Sequence, residues 1–318
     1  MTTLTWRPTA SRAALLARAA LLGEIRAYFA QQGVLEVDTP LLGHTGAADP
    51  AIGSLALDLP SGRRYLQTSP EYAMKRLLAA GSGDIYQLCK AFREEEHSPL
   101  HRGEFTLLEW YRVGFDHHQL MAEVARLLAV FWPGRVLERL TIAHLAQQVG
   151  APDPHLSSTA VLANYARDCG VVLTPPAAHD RSLLLDFLLT HLVRVGLPVG
   201  RAAFIYDFPL EQAAYARVRP GHPPVAERFE LILDGVELAN GYHELCDPLA
   251  QRARHAAEAL VRAARGLPPP LIDERLLAAL AAGLPACAGV ALGIDRLLML
   301  REGAANVGEV MAFGAETL

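Results

Sequence analysis

Arg93 stands between an aromatic residue and three glutamates at the head of Phe92-Arg93-Glu94-Glu95-Glu96-His97-Ser98-Pro99-Leu100-His101-Arg102-Gly103. The run closes on Glu104-Phe105-Thr106-Leu107-Leu108-Glu109-Trp110-Tyr111-Arg112. An arginine keeps its charge at any working pH and offers a planar fork that matches phosphate. Carboxylates on the same platform suit an ammonium group. Phosphate at one end and an amine at the other point to activation of an amino acid by a nucleotide; the plainer alternative is a surface hairpin with ordinary ion pairs. Further along, Glu230, Glu237 and Glu244 recur at seven-residue intervals. Carboxylates brought together raise one another's pKa, so convergence requires Mg²⁺ or an ammonium; the alternative is that some face solvent separately. Near the end, Gly293-Ile294-Asp295-Arg296 puts a glycine, which lets a flat ligand approach the backbone, just before an arginine.

These residues need elements to hold them. Strand-favouring residues on both sides of a polar, Pro- and Gly-containing loop predict a long antiparallel hairpin over 85–112, with Glu109 and Tyr111 on one face. Apolar spacing predicts a helix over 12–32, with Ser11 as N-cap and Gly33 as its stop. A strand over 34–37 ends before Pro40, a loop covers 43–53, and a short strand covers 65–68. Ser69-Pro70-Glu71 opens a helix to about Ala80. Residues 117–201 read as a helical insertion broken at Pro133-Gly134, Gly150 to Pro154 and Pro175-Pro176. Within it, His117-His118 reads as a solvated helix start, because neighbours on a helix diverge. A strand over 202–208 and a polar loop over 217–224 follow. Asp234-Gly235 joins strands over 229–233 and 236–239 in a hairpin. A helix over 249–265 and a short one capped by Asp273 and ending at Gly283 precede an apolar strand that passes through Gly293 into the helix bearing Arg296.

The 318 residues are 51% hydrophobic and 20% charged, enough to bury a large core. No apolar run reaches the ~20 residues of a membrane span, and the start MTTLTWRPTASR lacks a secretory h-region. Cys89, Cys169, Cys246 and Cys287 are scattered without CxxC spacing, which suits reduced thiols in a cytoplasm. A net charge of −5 shows no basic face or tail for a long nucleic acid. Neither a Walker nor a dinucleotide glycine fingerprint is present.

In order, the first helix with its strand and Pro40, the run from Phe92-Arg93-Glu94-Glu95 to Glu104-Phe105, and Gly293-Ile294-Asp295-Arg296 resemble motifs 1, 2 and 3 of the class II aminoacyl-tRNA synthetases, in their lysyl branch. The resemblance runs from about residue 12 to the C-terminus. It implies an α+β fold, a mostly antiparallel sheet flanked by helices, as one catalytic domain and as a homodimer. Tyr65 to Gly81, with Ser69-Pro70-Glu71, and Leu108 to Arg112 are similar to a truncated group of lysyl paralogues. These lack the anticodon-binding OB-fold and ligate (R)-β-lysine to elongation factor P. The activity so implied uses ATP and Mg²⁺, takes (R)-β-lysine or lysine, and involves no stable tRNA and no membrane.

The same resemblance implies roles. Arg93 and Arg296 are the catalytic pair, and Glu94, Glu95 (at adenine), His101, Arg102, Phe105, Glu237, Leu238 and Gly293 join them at ATP. Glu230 and Glu237 hold Mg²⁺. Ser69, Pro70, Glu71, Glu109, Tyr111 and Glu244 hold the diamine. The chain departs from the family where Arg102-Gly103 replaces Asn-Pro and Glu94 replaces a frequent asparagine. Two alternatives are a lysine-charging tRNA synthetase without the anticodon domain and a catalytically inactive, regulatory paralogue.

Overall fold

The computed structural model of the chain describes residues 6–49, 52–94, 98–264, 266 and 272–314. In chain order, the first elements are α1 (Arg12–Gln31), β1 (Leu35–Glu36), β2 (Leu42–Gly43), β3 (Ala56–Leu59), β4 (Gly62–Leu66) and α2 (Glu71–Ala79). Next come β5 (Ile85–Phe92), β6 (Glu104–Val113), α3 (His117–Phe131), β7 (Glu138–Thr141), α4 (Ile142–Gln148), α5 (Thr159–Asp168) and α6 (Arg181–Gly196). The chain continues with β8 (Ala202–Phe208), β9 (Val218–Arg219), β10 (Val225–Leu233) and β11 (Val236–His243). It ends with α7 (Pro248–Ala264), α8 (Glu274–Gly283), β12 (Cys287–Gly293) and α9 (Ile294–Glu302).

The residues divide into two compact units. One comprises Met1–Gly114, Arg126–Pro133 and Cys246–Leu318; the other comprises Phe115–Ala125 and Gly134–Leu245. In the first, β5 pairs antiparallel with β6, β6 antiparallel with β12, and β1 lies parallel to β5. A smaller sheet runs β2-β4-β3. Helices α2 and α8 bury Met74, Leu78, Leu276, Leu277 and Leu280 with Ile85 and Tyr111 of the larger sheet. Helix α1 contributes Phe29, whose ring stacks on Tyr86 with centroids 4.4 Å apart. Local chemistry fixes its ends: Ser11 Oγ accepts from Ala14 N at 3.1 Å, and Gly33 leaves the helix at φ +67°.

In the second unit, β10 is antiparallel to β11, β8 and β9, and β7 lies parallel to β8. Helices α4, α5 and α6 pack Leu145, Leu162, Leu184 and Leu188 against Ile205 and Ile232. Asp234 and Gly235 turn the β10–β11 hairpin at φ +54° and +79°, the doubly left-handed turn that matches strand twist.

The strand content of 117–201 and the hairpin lengths differ from expectation. The helical run contains β7, and β11 continues past Ala239 to His243. Asn240, Gly241 and His243 have weak strand propensity, and backbone pairing of Asn240, Gly241 and Tyr242 with β10 carries the strand through them. The loop over 217–224 contains β9.

Candidate active site

Two residues apart on β6, Glu109 and Tyr111 share a face, and the Tyr111 hydroxyl donates to Glu109 Oε1 at 2.8 Å. The other carboxylate oxygen, Oε2, accepts from Ser69 Oγ at 2.6 Å. Ser69 Oγ in turn accepts from Glu71 N at 3.1 Å, so the hydroxyl joins the start of α2 to β6. Pro70 is the N-cap of α2 and brings no side-chain hydrogen bond, which leaves Ser69 to satisfy the first helical N–H. Glu109 is only 2% exposed, so its orientation is set by these hydroxyls. Glu71 is paired with Lys75 Nζ at 2.6 Å, and Lys75 is 1% exposed. The i,i+4 spacing on α2 makes that contact.

At the other end of the β5–β6 hairpin, the Arg93 guanidinium lies 5.1 Å over the Phe105 ring. Arg93 N donates to Gly103 O at 2.9 Å, and a Cβ at Gly103 would lie 3.2 Å from the Arg93 carbonyl oxygen. Glu94 N donates to Gly53 O, where a Cβ would come within 2.7 Å of Glu94 Cβ. Arg296, in the first turn of α9, donates from Nε to Leu100 O at 3.2 Å and from Nη2 to His101 Nε2 at 2.6 Å. Arginine only donates, so Nε2 is the acceptor and the imidazole proton sits on Nδ1, 2.7 Å from Ser98 Oγ. Arg102 donates from Nη1 to Ser98 O and His101 O, serving the backbone of its own loop. Gly293 has φ −76°, and a Cβ there would meet only Arg296's own side chain, at 3.8 Å. Neither strain nor crowding within the described residues therefore demands this glycine. Glu95 lies outside the described residues.

In the second unit, the register places Glu230 opposite Asn240, and a shift after Leu231 sets Glu237 opposite Ile232. Glu230 is buried, and burial pushes its pKa up to about 7; the Arg228 guanidinium pulls it down and Glu237 pushes it up. Arg228 Nη2 donates to Glu230 Oε1 at 2.6 Å and its Nε to Asn240 Oδ1 at 3.3 Å. Its guanidinium also lies 4.5 Å over Phe208. Leu238 is buried at the register shift, and Glu237 is exposed. The seven-residue spacing does not bring all three carboxylates together. Glu230 and Glu237 neighbour each other across the hairpin, while Glu244 lies seven residues beyond Glu237, roughly 20 Å along an extended strand. Glu244 is buried and bridges to Ala216.

The family model for class II tRNA synthetases (D, K and N) matches residues 1–317. The chain belongs to the class II tRNA synthetase family. It is 46% identical over 314 residues to a protein of Vibrio vulnificus named elongation factor P–(R)-β-lysine ligase, with 97% of each chain covered. Proteins of the same name from Vibrio cholerae and Klebsiella pneumoniae are each 44% identical, with 98% of each chain covered.

Several polar residues escape a reading by motif. Arg228 is two residues before Glu230 and so shares its face, a signal that strand alternation could have supplied. Lys75 is four residues after Glu71, which helix spacing could have supplied. Asp295, next to Arg296, accepts from Arg18 Nη1 at 2.7 Å and from Thr106 N at 2.6 Å. It ties α9 to α1 and β6, and nothing local in the sequence announces partners so distant.

Proposed function

We propose that this protein is an ATP-dependent ligase that activates (R)-β-lysine as an adenylate and transfers it to a lysine side chain of elongation factor P. The observation that carries this reading is the arrangement on the β5–β6 hairpin. A buried carboxylate oriented by two hydroxyls lies toward one end, and an arginine stacked on an aromatic ring lies toward the other. Four residues of β6 separate Glu109 from Phe105, roughly 13 Å, comparable to an extended diamino acid joined to a nucleotide phosphate. The names of relatives matched over almost their whole length support the same substrates.

In the first step the amino-acid carboxylate attacks the ATP α-phosphorus, pyrophosphate leaves, and an acyl-adenylate forms. Arg93 and Arg296 hold the phosphates and offset charge that builds up on their oxygens, so positioning and electrostatics carry the step without a protein nucleophile. His101, with its proton on Nδ1, keeps Arg296 aimed. Phe105 and Gly293 contact the nucleotide, with Glu94 beside it. Ser69, Glu109 and Tyr111 receive one ammonium group. Pro70 and Glu71 complete the amino-acid site in the first unit, where Lys75 already balances Glu71. In the second step the acceptor lysine amine attacks the acyl carbon, loses a proton, and AMP leaves.

Glu230 and Glu237 would hold Mg²⁺. The donor set fits, because a carboxylate raised by burial and by a second carboxylate is relieved by a divalent cation. When bound, Mg²⁺ neutralises phosphate charge. Arg102 stays with its own loop in this arrangement. We further propose a cytoplasmic homodimer built on α1, as the resemblance of the first helix to the dimer-forming class II motif and the scattered free cysteines suggest.

Pyrophosphate exchange with α-lysine and (R)-β-lysine, followed by transfer of labelled amino acid to purified elongation factor P or to tRNA, tests the reading. Exchange favouring (R)-β-lysine and label on the factor are expected. Robust tRNA charging without labelling of the factor would reverse the acceptor, and exchange with neither amino acid would indicate an inactive paralogue.

A further inference from the structure

His117 opens α3 and is 1% exposed, not solvated as its place at a helix start suggests. Neither of its ring nitrogens has a hydrogen-bond partner among the described residues. A buried imidazole left unsatisfied is costly, and what surrounds it is a donor set. Glu227 on β10 and His243 at the end of β11 each place a ligand atom so that these and one nitrogen of His117 all lie within 4.8 Å of one another. Glu227 is 9% exposed, and its Oε2 is 2.7 Å from His243 Nδ1. Asp207 Oδ1 is 3.8 Å from His117 Nε2, and Asp207 holds its place at φ +61°, a left-handed conformation uncommon outside glycine. Strand alternation turns Glu227 and His243 to the face of the hairpin opposite Arg228 and Glu230. This cluster is therefore separate from the carboxylates assigned to Mg²⁺.

We propose that His117, Glu227 and His243 form a site for a first-row transition metal, with Zn²⁺ the ion that the donor set suits best. Two imidazoles and one carboxylate are a recurrent zinc ligand set, whereas Mg²⁺ prefers oxygen donors throughout. Zinc bonds of about 2.0–2.1 Å separate tetrahedral donors by about 3.4 Å, so Glu227 Oε2 and His243 Nδ1, now 2.7 Å apart, open by roughly 0.7 Å, while His117, within 4.8 Å of both, closes by roughly 1.4 Å at most. His243 coordinates as the tautomer that carries its proton on Nε2, so Nδ1 exchanges its hydrogen bond to Glu227 for the metal, and the lone pair of His117 gains the partner it lacks. Asp207 is placed to accept from the second nitrogen of His117 or to enter as a fourth ligand. Arg217 and Arg219 approach Glu227 at 3.9 and 3.7 Å, and their side chains are 59% and 42% exposed. Both can swing toward water as the cation takes over their role. Loading would pin the start of α3 to the two strands that carry Glu230 and Glu237, independently of the reaction proposed above.

The test uses the full chain, stripped with a chelator and titrated with Zn²⁺ in the absence of ATP, with bound metal counted by elemental analysis. Co²⁺ serves as a visible probe of coordination. One equivalent of Zn²⁺ should bind, resist millimolar Mg²⁺ and raise the melting temperature. Co²⁺ should give the d–d absorption of a low-coordinate nitrogen/oxygen site. His117→Leu and Glu227→Gln should each weaken binding at least about tenfold and abolish the zinc-dependent rise, while Glu237→Gln should keep both. Absence of binding to the parent chain, or equal binding by the parent and by whichever of the first two variants folds, overturns the site. Loss of binding in Glu237→Gln alone would move the metal to the Mg²⁺ carboxylates and equally overturn it.

Discussion

The Arg93 guanidinium lies over the Phe105 ring, and Arg296 donates to Leu100 O and His101 Nε2. Arg93→Ala should remove the cation over the Phe105 ring. Arg296→Ala should also release Leu100 and His101. Each should lower pyrophosphate exchange by a factor of about 100 or more, roughly 3 kcal/mol of transition-state stabilisation, with the circular dichroism spectrum unchanged. Near-normal exchange in both would remove them from the chemistry. Ser69 makes a subtler contribution. Its hydroxyl holds one oxygen of Glu109 and caps the first N–H of α2. Ser69→Ala should therefore lower the ratio of kcat/KM for (R)-β-lysine over α-lysine a few-fold to tenfold, the weight of one hydrogen bond of about 0.5–1.5 kcal/mol. An unchanged ratio, with only a lower melting temperature, would leave Ser69 as a cap.

At the scale of elements, Asp295 joins three of them. It accepts from Arg18 on α1 and from the Thr106 backbone on β6, and Arg18 also donates to Thr106 Oγ1 at 2.6 Å. Asp295→Ala strands a largely buried guanidinium and a buried N–H, which should cost about 3 kcal/mol or more. Thermal unfolding should show a fall of several degrees, and exchange activity should drop because the start of α9 carries Arg296. A variant that melts like the parent would show that α9 is held by apolar packing alone. Elements closed by neighbouring residues were legible from sequence: the Ser11 cap, the Asp273 cap that accepts from Arg275 N and Leu276 N, and the Asp234-Gly235 turn. The pairing of Glu109 with Tyr111 was legible too, because strand alternation dictates it. Strand β7 was not, since four residues reading Glu-Arg-Leu-Thr gain their structure from parallel pairing with β8, more than sixty positions on. The Arg228–Glu230–Asn240 cluster and the burial of His117 depend on register and packing in the same way, and single-sequence periodicity carries neither.

For the molecule as a whole, Glu258 on α7 sets a pH dependence. Burial raises its pKa from 4.5 to about 7; Asp49 and Glu71 add to the rise and Arg254 opposes it. The folded chain thus keeps a proton on this carboxyl over a range where the unfolded chain has released it. Between those two values the folded state binds more protons, so this contribution to stability falls as pH rises from about 4.5 to about 7 and stays low above. Glu258→Gln removes the penalty. Its melting temperature relative to the parent should be higher at pH 8 than at pH 5, as scanning calorimetry can measure. A difference that does not change with pH would mean that Glu258 titrates as it does in the unfolded chain.

The first unit is assembled from separated stretches of chain, and this has a consequence during synthesis. Strand β6 ends at Val113, whereas β12, which covers its second edge, begins at Cys287. At 5–20 residues per second a ribosome takes about 9–35 s to make the 174 residues from 114 to 287. Throughout that interval β6 can pair with β5 alone, offering an open edge lined by Leu107, Leu108 and Trp110. The residues of 134–245, by contrast, emerge as one stretch and can begin to fold while that edge waits. The nascent chain is therefore most exposed to strand-to-strand association when its second unit has formed and its first has not.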